Sequence, residues 1–497
     1  LSRFRTALIA ILLPLSCACA VNPITGRRQV VLSTASQETA VGQNEAQRVA
    51  DEMGLVDDAQ LAAYVATLGR HLVRQFSSTD FAYTFRVVDL PEPNAFALPG
   101  GFIYVSRGLL ALVNSEDELV TVIGHEIGHV AARHASRRLT IAAPFAIATG
   151  ITSFATSIVS PTLGNVVSGI GGLTGSLVVA PYSREQEREA DRLGMELAAR
   201  AGWNPEALSR ILHTLEREEQ LHGEKQGRFS FLASHPSTPE RVRNTAEEAG
   251  RLSIGVHSPM ALDRAAVLRH FDGMVVGADP AQGIFSGNRF LHPELDFTVT
   301  FPEGWQQANE RNYAAALAPG GKAASIVRVV GKRGELAEIA RKTASALGYD
   351  PQRDVEWSTV GGNKSAHLAA QARAENGTPV DLDLTWIGHR SGVFEVAGVC
   401  ERGNMANYGA VLRPVGQSFR ALEEPDWPLI QVTRLRLEKA RHKETMESLV
   451  ARSGSVWSAE ETAVVNGIEV DTQMVAGFTV KVAVREPYQR GHSKVQR

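Results

Sequence analysis

The sequence predicts an α+β protein in three parts: a mainly helical amino-terminal region with a small β-sheet, a β-rich α+β region, and a small βααβ module. Three observations predict it. Leu119, Val122, Ile123, Ile127 and Val130 form an apolar stripe at helical spacing behind a Ser115–Glu118 capping box. From about residue 283 the pattern changes to alternation, in Leu295–Pro302, Ala324–Val330, Val380–Trp386 and Gly392–Val399, interrupted by one helix over Glu335–Leu347. The last stretch, Arg434–Val484, reads as a strand to Leu437, a helix over Thr445–Arg452, an Asn466-Gly467 turn and a closing strand after Gly477.

At the amino terminus Arg3 and Arg5 precede an apolar run from Ala7 to Leu15, too short to span a bilayer well and followed by small residues. That pattern predicts an export signal. Ala18-Cys19-Ala20 offers a cleavage site that would release a soluble protein, whereas Leu15-Ser16-Cys17 resembles a lipobox, with Pro14 standing where an aliphatic residue is usual. The two readings are nearly balanced, with a slight lean to the lipoprotein. Either route places the chain in a bacterial envelope, in the periplasm, with the lipidated form anchored to the outer membrane. Cys17 and Cys19 belong to the leader region, so the mature chain keeps Cys400 unpaired, or Cys400 with one or both leader cysteines, and no disulfide framework is implied. A net charge of −3 without an extended basic stripe gives no support for nucleic-acid binding.

His125-Glu126-Ile127-Gly128-His129 sits inside the helical stripe. Residues four apart share a helix face, so His125 and His129 can present ring nitrogens to one metal ion. Glu126 then lies about 100° round the helix, where it can serve as general base for a zinc-activated water. The competing reading is two surface histidines on an amphipathic helix. A catalytic zinc needs a third protein ligand, and Ala132 and Ala135 close the route used by metzincins. Downstream, a helix opening at Ser183 offers Glu187 and Asp191 on one face, a glutamate ligand with an aspartate behind it to orient a histidine. Its alternative is a solvated charged helix.

At these residues, over roughly Asn22 to Gly250, the chain resembles the Ste-type and HtpX-like gluzincin peptidases, a family that includes CAAX prenyl proteases and bacterial envelope quality-control proteases. The matching elements are Asn22-Pro23-Ile24-Thr25-Gly26-Arg27, Asn94 to Gly101, His125 to His134, Glu187 to Asp191, and Ser234-His235-Pro236 with Arg241. The resemblance implies one zinc ion per chain held by His125, His129 and Glu187, with Glu126 as general base. Asp191 and Arg241 are expected behind the ligands. His235 is expected close to the metal, blocking its open position or helping to stabilise the oxyanion. His134 is expected to be structural or to stand behind a ligand, and Glu185 and Glu189 to face solvent. By the same analogy Phe102–Ser106 is an edge strand beside the zinc, and Asn94, Ala95, Phe96 and Ala97 belong to the segment that binds an extended substrate as an added strand. An ordinary hairpin with a Pro-Gly-Gly turn is compatible with that.

The expected division is therefore an export signal over 1–20, a zinc metallopeptidase domain over 21–255, a connector over 256–282, a β-rich α+β accessory domain over 283–425, the βααβ module over 430–485 and a disordered tail over 486–497. Thr140 to Ser183 holds no charged residue. A buried or lid-forming hairpin, a segment dipping into one leaflet and a true span remain open for Ile141–Ala180, with membrane-surface contact among them. The carboxy-terminal module resembles a degenerate LysM domain in which Lys443-Glu444 replaces the usual Gly-Asp, so peptidoglycan is a candidate partner. The combined expectation is a zinc endopeptidase acting on unfolded or misassembled envelope proteins. The contrasting one is a latent or non-proteolytic envelope scaffold whose carboxy-terminal domains do the binding.

Overall fold

The computed structural model describes residues 18–31, 33–76, 79–136, 181–222, 230–236, 239–256, 260–261, 263–374 and 377–490. Most of the export signal, the uncharged 141–180 stretch and the last seven residues lie outside the described residues. Residues 18–20, expected within the signal, form part of β1 (Ala18–Val21), which pairs antiparallel with β2 (Arg28–Val31). The turn between them is held by Asn22, whose Oδ1 accepts from the Ile24 and Thr25 amides at 3.0 and 3.2 Å.

Helices α1 (Ala35–Glu52) and α2 (Ala59–Val73) start at Thr34 and Asp58, whose side chains accept hydrogen bonds from first-turn amides. A three-stranded sheet follows, ordered β3 (Thr84–Val88), β5 (Phe102–Ser106), β4 (Ala95–Leu98). The edge beside the site is therefore β4 and not Phe102–Ser106. The parallel β3–β5 pairing places β5 in the centre, and Pro99-Gly100-Gly101, with both glycines at positive φ, folds β4 back along its other side. The short helix α3 (Arg107–Leu112) leads into α4 (Glu116–Ala131). Ser115 caps α4 as expected, but the Glu118 carboxylate accepts from the Asn114 amide at 2.7 Å instead of closing the reciprocal half of the box. Helices α5 (Arg184–Arg200), α6 (Ala207–His222), α7 (Phe231–Ser234) and α8 (Pro239–Ala249) complete this region.

The 256–282 stretch is not a free connector. Its short helix α9 (Arg264–Arg269) and the residues after it bury Val267, Leu268, Phe271, Met274 and Val276 in the same apolar core as α2 and α4. Burial of that apolar face holds the segment down.

Beyond it, β6 (Ile284–Ser286), β7 (Arg289–His292) and β8 (Phe297–Thr300) form a small meander. A seven-stranded sheet runs β12 (Glu356–Val360), β13 (Asn363–Arg373), β14 (Pro379–His389), β15 (Gly392–Glu401), β11 (Ala323–Gly331), β10 (Tyr313–Leu317), β9 (Gln306–Glu310). Alternation along β14 and β15 explains its two cores. Leu382, Leu384, Trp386 and Ala397 pack under α10 (Leu336–Ala346), while Ile387, Phe394 and Val396 pack toward α11 (Met405–Gln417).

The last unit is β16 (Gln431–Lys439), α12 (Met446–Ser453), α13 (Ala459–Val465) and β17 (Thr479–Pro487), with β16 and β17 paired antiparallel throughout. Strand β17 continues through Pro487, and the Tyr488 amide bonds the Ile430 carbonyl at 3.1 Å. Order thus extends past residue 485, where the disordered tail was expected to begin, because the ladder to Gln431 satisfies that backbone. Leu435, Val465 and Ala483 belong to the amino-terminal core, so this unit packs against that region. No helix among the described residues is long and apolar enough to cross a membrane.

Candidate metal centre

The site is built by two helices that approach closely. A Cβ added at Gly194 of α5 would meet the His125 backbone nitrogen of α4 at 2.6 Å, and one at Gly128 would meet the Ala190 carbonyl oxygen at 2.8 Å. Small residues four apart on each helix, Gly124 and Gly128 against Ala190 and Gly194, let the backbones nearly touch. Only at that spacing does the short reach of Glu187 bring its carboxylate to the histidines of α4.

Four ligand atoms from His125, His129, Glu187 and His235 lie within 4.8 Å of one another, all from buried residues. His125 Nε2 is 3.0 Å from His129 Nε2 and 3.2 Å from His235 Nδ1. Glu187 Oε1 is 3.0 Å from His235 Nδ1 and 3.4 Å from His129 Nε2, and its Oε2 is 3.6 Å from His125 Nε2. A tetrahedral zinc ion bound at about 2.0–2.1 Å sets its ligand atoms roughly 3.3–3.4 Å apart. The donor set and its spacing fit one such ion.

Each ligand is held from behind. His125 Nδ1 faces Asp191 Oδ1 at 2.9 Å, which turns Nε2 into the cluster. Asp191 takes a two-pronged ion pair from Arg241, at 2.8 and 2.7 Å. The Arg241 guanidinium also lies 2.7 Å from Glu187 Oε2 and donates to the His235 and Pro236 carbonyls, each at 3.3 Å. One cation thus ties Glu187, Asp191 and the His235 loop together. His129 Nδ1 meets His134 Nδ1 at 2.9 Å, and His134 Nε2 reaches Glu189 Oε2 at 3.1 Å. Glu189 is therefore engaged with the site and not simply solvent-facing, since the turn ending α4 swings His134 across to α5.

Electrostatics follow from burial. Desolvation pushes the His129 imidazolium well below its ordinary range, so this ring is neutral and free to ligate. Burial disfavours the Glu187 carboxylate, but His235 and the other imidazoles outweigh it and hold its pKa well below the usual range. Asp191 is likewise opposed by burial and held low by Arg241. Glu126 is the contrast. Burial raises its pKa, and neither of its oxygens has a hydrogen-bond partner among the described residues. Its Oε1 is 3.5 Å from His235 Nε2, which also lacks a hydrogen-bond partner there.

Among the expected substrate-binding residues, Asn94, Ala95, Phe96 and Ala97 are buried, the last three on β4. Ala97 and His129 line one small cavity of about 10 Å³ with Glu38, Arg133 and Tyr182, room for about one water. Two aromatic residues at the site were missed by sequence reasoning. The Phe231 ring stacks on His235 at 4.5 Å, and its amide donates to the Pro93 carbonyl at 2.8 Å. The Tyr182 ring lies 3.9 Å from His129, and its amide donates to the Ser234 carbonyl at 3.0 Å. No motif marks either. The paired small-residue spacings of α4 and α5 were a readable signal for the close helix crossing.

Residues 59–249 match the family model described as Peptidase family M48, and the His-His-Glu-His cluster that could hold a metal lies within that segment. The chain is 26% identical over 288 residues to the beta-barrel assembly-enhancing protease of Escherichia coli (strain K12), covering 56% of this chain and 54% of that protein. It is 29% identical over 229 residues to the mitochondrial metalloendopeptidase OMA1 of Schizosaccharomyces pombe, covering 45% and 65%. It is 37% identical over 168 residues to the mitochondrial metalloendopeptidase OMA1 of Arabidopsis thaliana, covering 33% and 32%. The chain thus spans about half the length of the bacterial relative it matches.

Proposed function

We propose that the chain is an exported zinc endopeptidase that hydrolyses misfolded or misassembled proteins of the bacterial cell envelope. The observation that carries this reading is the four-atom donor cluster beside the buried Glu126 carboxylate, which has no hydrogen-bond partner among the described residues. His125, His129 and Glu187 would hold the metal. A zinc ion held there would supply Lewis acidity toward a carbonyl and a nucleophilic water. Glu126 removes the water's proton as it attacks and delivers that proton to the leaving amine. Burial raises the affinity of Glu126 for a proton, which suits a group that accepts one and gives it back.

A catalytic site keeps one coordination position for substrate, and here His235 Nδ1 takes the fourth place in the cluster. The described state is therefore read as closed, with His235 as the gate and Arg241 as the group that holds its loop. Asn94–Ala97 are buried, and binding of an extended substrate along them would require that burial to be relieved. Relatives named as proteases favour the enzyme over a non-proteolytic scaffold. An envelope location draws support from the relative named for beta-barrel assembly. The strand-helix-helix-strand order of residues 431–487 supports the LysM-like reading and peptidoglycan as a partner.

Casein cleavage by the zinc-loaded chain, beside Glu126→Gln and a chelated sample, tests the reading. Cleavage by the unmodified chain alone supports it. Equal activity of Glu126→Gln refutes the assignment of the base.

A further inference from the structure

A cleft outside the metal centre holds about 260 Å³ of space, below the roughly 300–1,000 Å³ of sites for whole small molecules. Its size suits one or two side chains. One wall comes from the C-terminal module, through Trp457 and Glu461, and the other from the peptidase region, through Glu92, Pro93, Glu218 and His222. Three carboxylates line it, and no lysine or arginine does among the described residues. His222 stands between two of them, 3.1 Å from Glu218 Oε1 and 3.6 Å from Glu461 Oε1. The half-buried Trp457 adds an aromatic surface, so apolar wall and negative charge are combined, which is the chemistry that receives the aliphatic stem and charged head of a basic side chain.

The position of the cleft relates it to catalysis. Pro93, in its wall, directly precedes the Asn94–Ala97 segment, and its carbonyl holds the amide of Phe231, whose ring stacks on His235. One residue thus bridges the cleft and the donor cluster. A polypeptide lying along β4 and continuing past Asn94 would arrive at this cleft.

We propose that the cleft is a distal subsite that takes an arginine or lysine side chain of the extended polypeptide substrate, with the C-terminal module supplying one wall. This rests on the endopeptidase reading. Burial already raises the proton affinity of Glu461, and an incoming cation would relieve that unfavourable desolvation. The module then has a role in substrate selection, through Trp457 and Glu461.

The test uses the full chain and fluorogenic peptides of one scissile sequence, with a single arginine walked outward from the cleaved bond and glutamine at that place in the controls. The expected result is a KM lower by about tenfold at one distant position, which is one good charge contact, with kcat little changed. Glu218→Gln with Glu461→Gln should abolish that preference while leaving kcat/KM for the glutamine peptides unchanged. Trp457→Leu, which keeps an apolar wall, should weaken it severalfold. Equal KM for arginine and glutamine at every position, or a preference that survives the double substitution, overturns the subsite. Should no peptide be cleaved, the endopeptidase reading fails separately, and fluorescence anisotropy of the same peptides on the Glu126→Gln chain decides the cleft: arginine-dependent binding lost in the double variant supports it, and arginine-independent binding refutes it.

Discussion

Two buried titratable groups, Glu126 at the candidate metal centre and Lys481 where the C-terminal module meets the peptidase region, are treated in opposite ways. Lys481 is fully buried on β17, and its Nζ donates to the Ala111 and Val113 carbonyls at 2.6 and 2.8 Å. Those carbonyls end α3, where an amine donor satisfies them, and burial pushes the amine well below the ordinary lysine range. Around it Asn466 Oδ1 accepts from the Lys481 amide at 2.8 Å and from Arg264 at 2.7 Å. Glu126 is equally buried and has no hydrogen-bond partner among the described residues. A buried polar group without a hydrogen-bond partner is costly, and the Glu126 carboxyl stands beside the donor cluster. The hydrogen-bonded lysine fits a role in architecture, and the Glu126 carboxyl fits the chemistry proposed for it.

Substitutions at the two places separate these roles. Glu126→Gln should lower casein or peptide turnover by at least ~10²–10⁴-fold while leaving the thermal midpoint unchanged or higher, because a desolvated carboxyl is replaced by a neutral amide. A large loss of stability would mean that Glu126 is structural after all. Lys481→Met should do the reverse. Leaving two buried carbonyls without their donor costs roughly 2–4 kcal/mol, read by urea titration, with kcat on a short peptide retained. Unchanged stability would place Lys481 outside the packing of the module. Gly194→Ala sharpens the comparison from the site's own side. A methyl group 2.6 Å from the His125 nitrogen must push α4 and α5 apart, at a cost of about 1–3 kcal/mol and with weaker zinc retention against a chelator. Normal zinc retention would show that the close crossing does not set the donor spacing. The smallest effect is expected at Lys443, which has φ of +56°. Lys443→Gly relieves a left-handed backbone that costs a side-chain-bearing residue about 1–2 kcal/mol, so the module should gain roughly 0.5–1 kcal/mol in the same titration; a loss would mean that the lysine side chain makes a contact worth more than the strain.

Local chemistry was legible in the sequence and long-range placement was not. His125, Glu126 and His129 are set by helical periodicity, and Glu187 and Asp191 by a second helix, so the residues brought together were readable without knowing how the helices cross. The strand order in the small sheet was not readable, because the parallel β3–β5 pairing depends on contacts far apart in sequence, and the edge was placed on the wrong strand. The 256–282 stretch looked like a connector because α9 is only six residues long, too short to give a clear period. Glu189 was assigned to solvent from its offset on the helix wheel, which carries no knowledge of His134 reaching across from the turn after α4.

In the proposed closed state, His125, His129, Glu187 and His235 would together enclose one zinc ion. X-ray absorption on the zinc-loaded chain and on His235→Ala tests it most directly. Three imidazoles and one oxygen donor in the unmodified chain, falling to two imidazoles in His235→Ala with a rise in peptide turnover, is the predicted result; the same two-imidazole shell in both would contradict it.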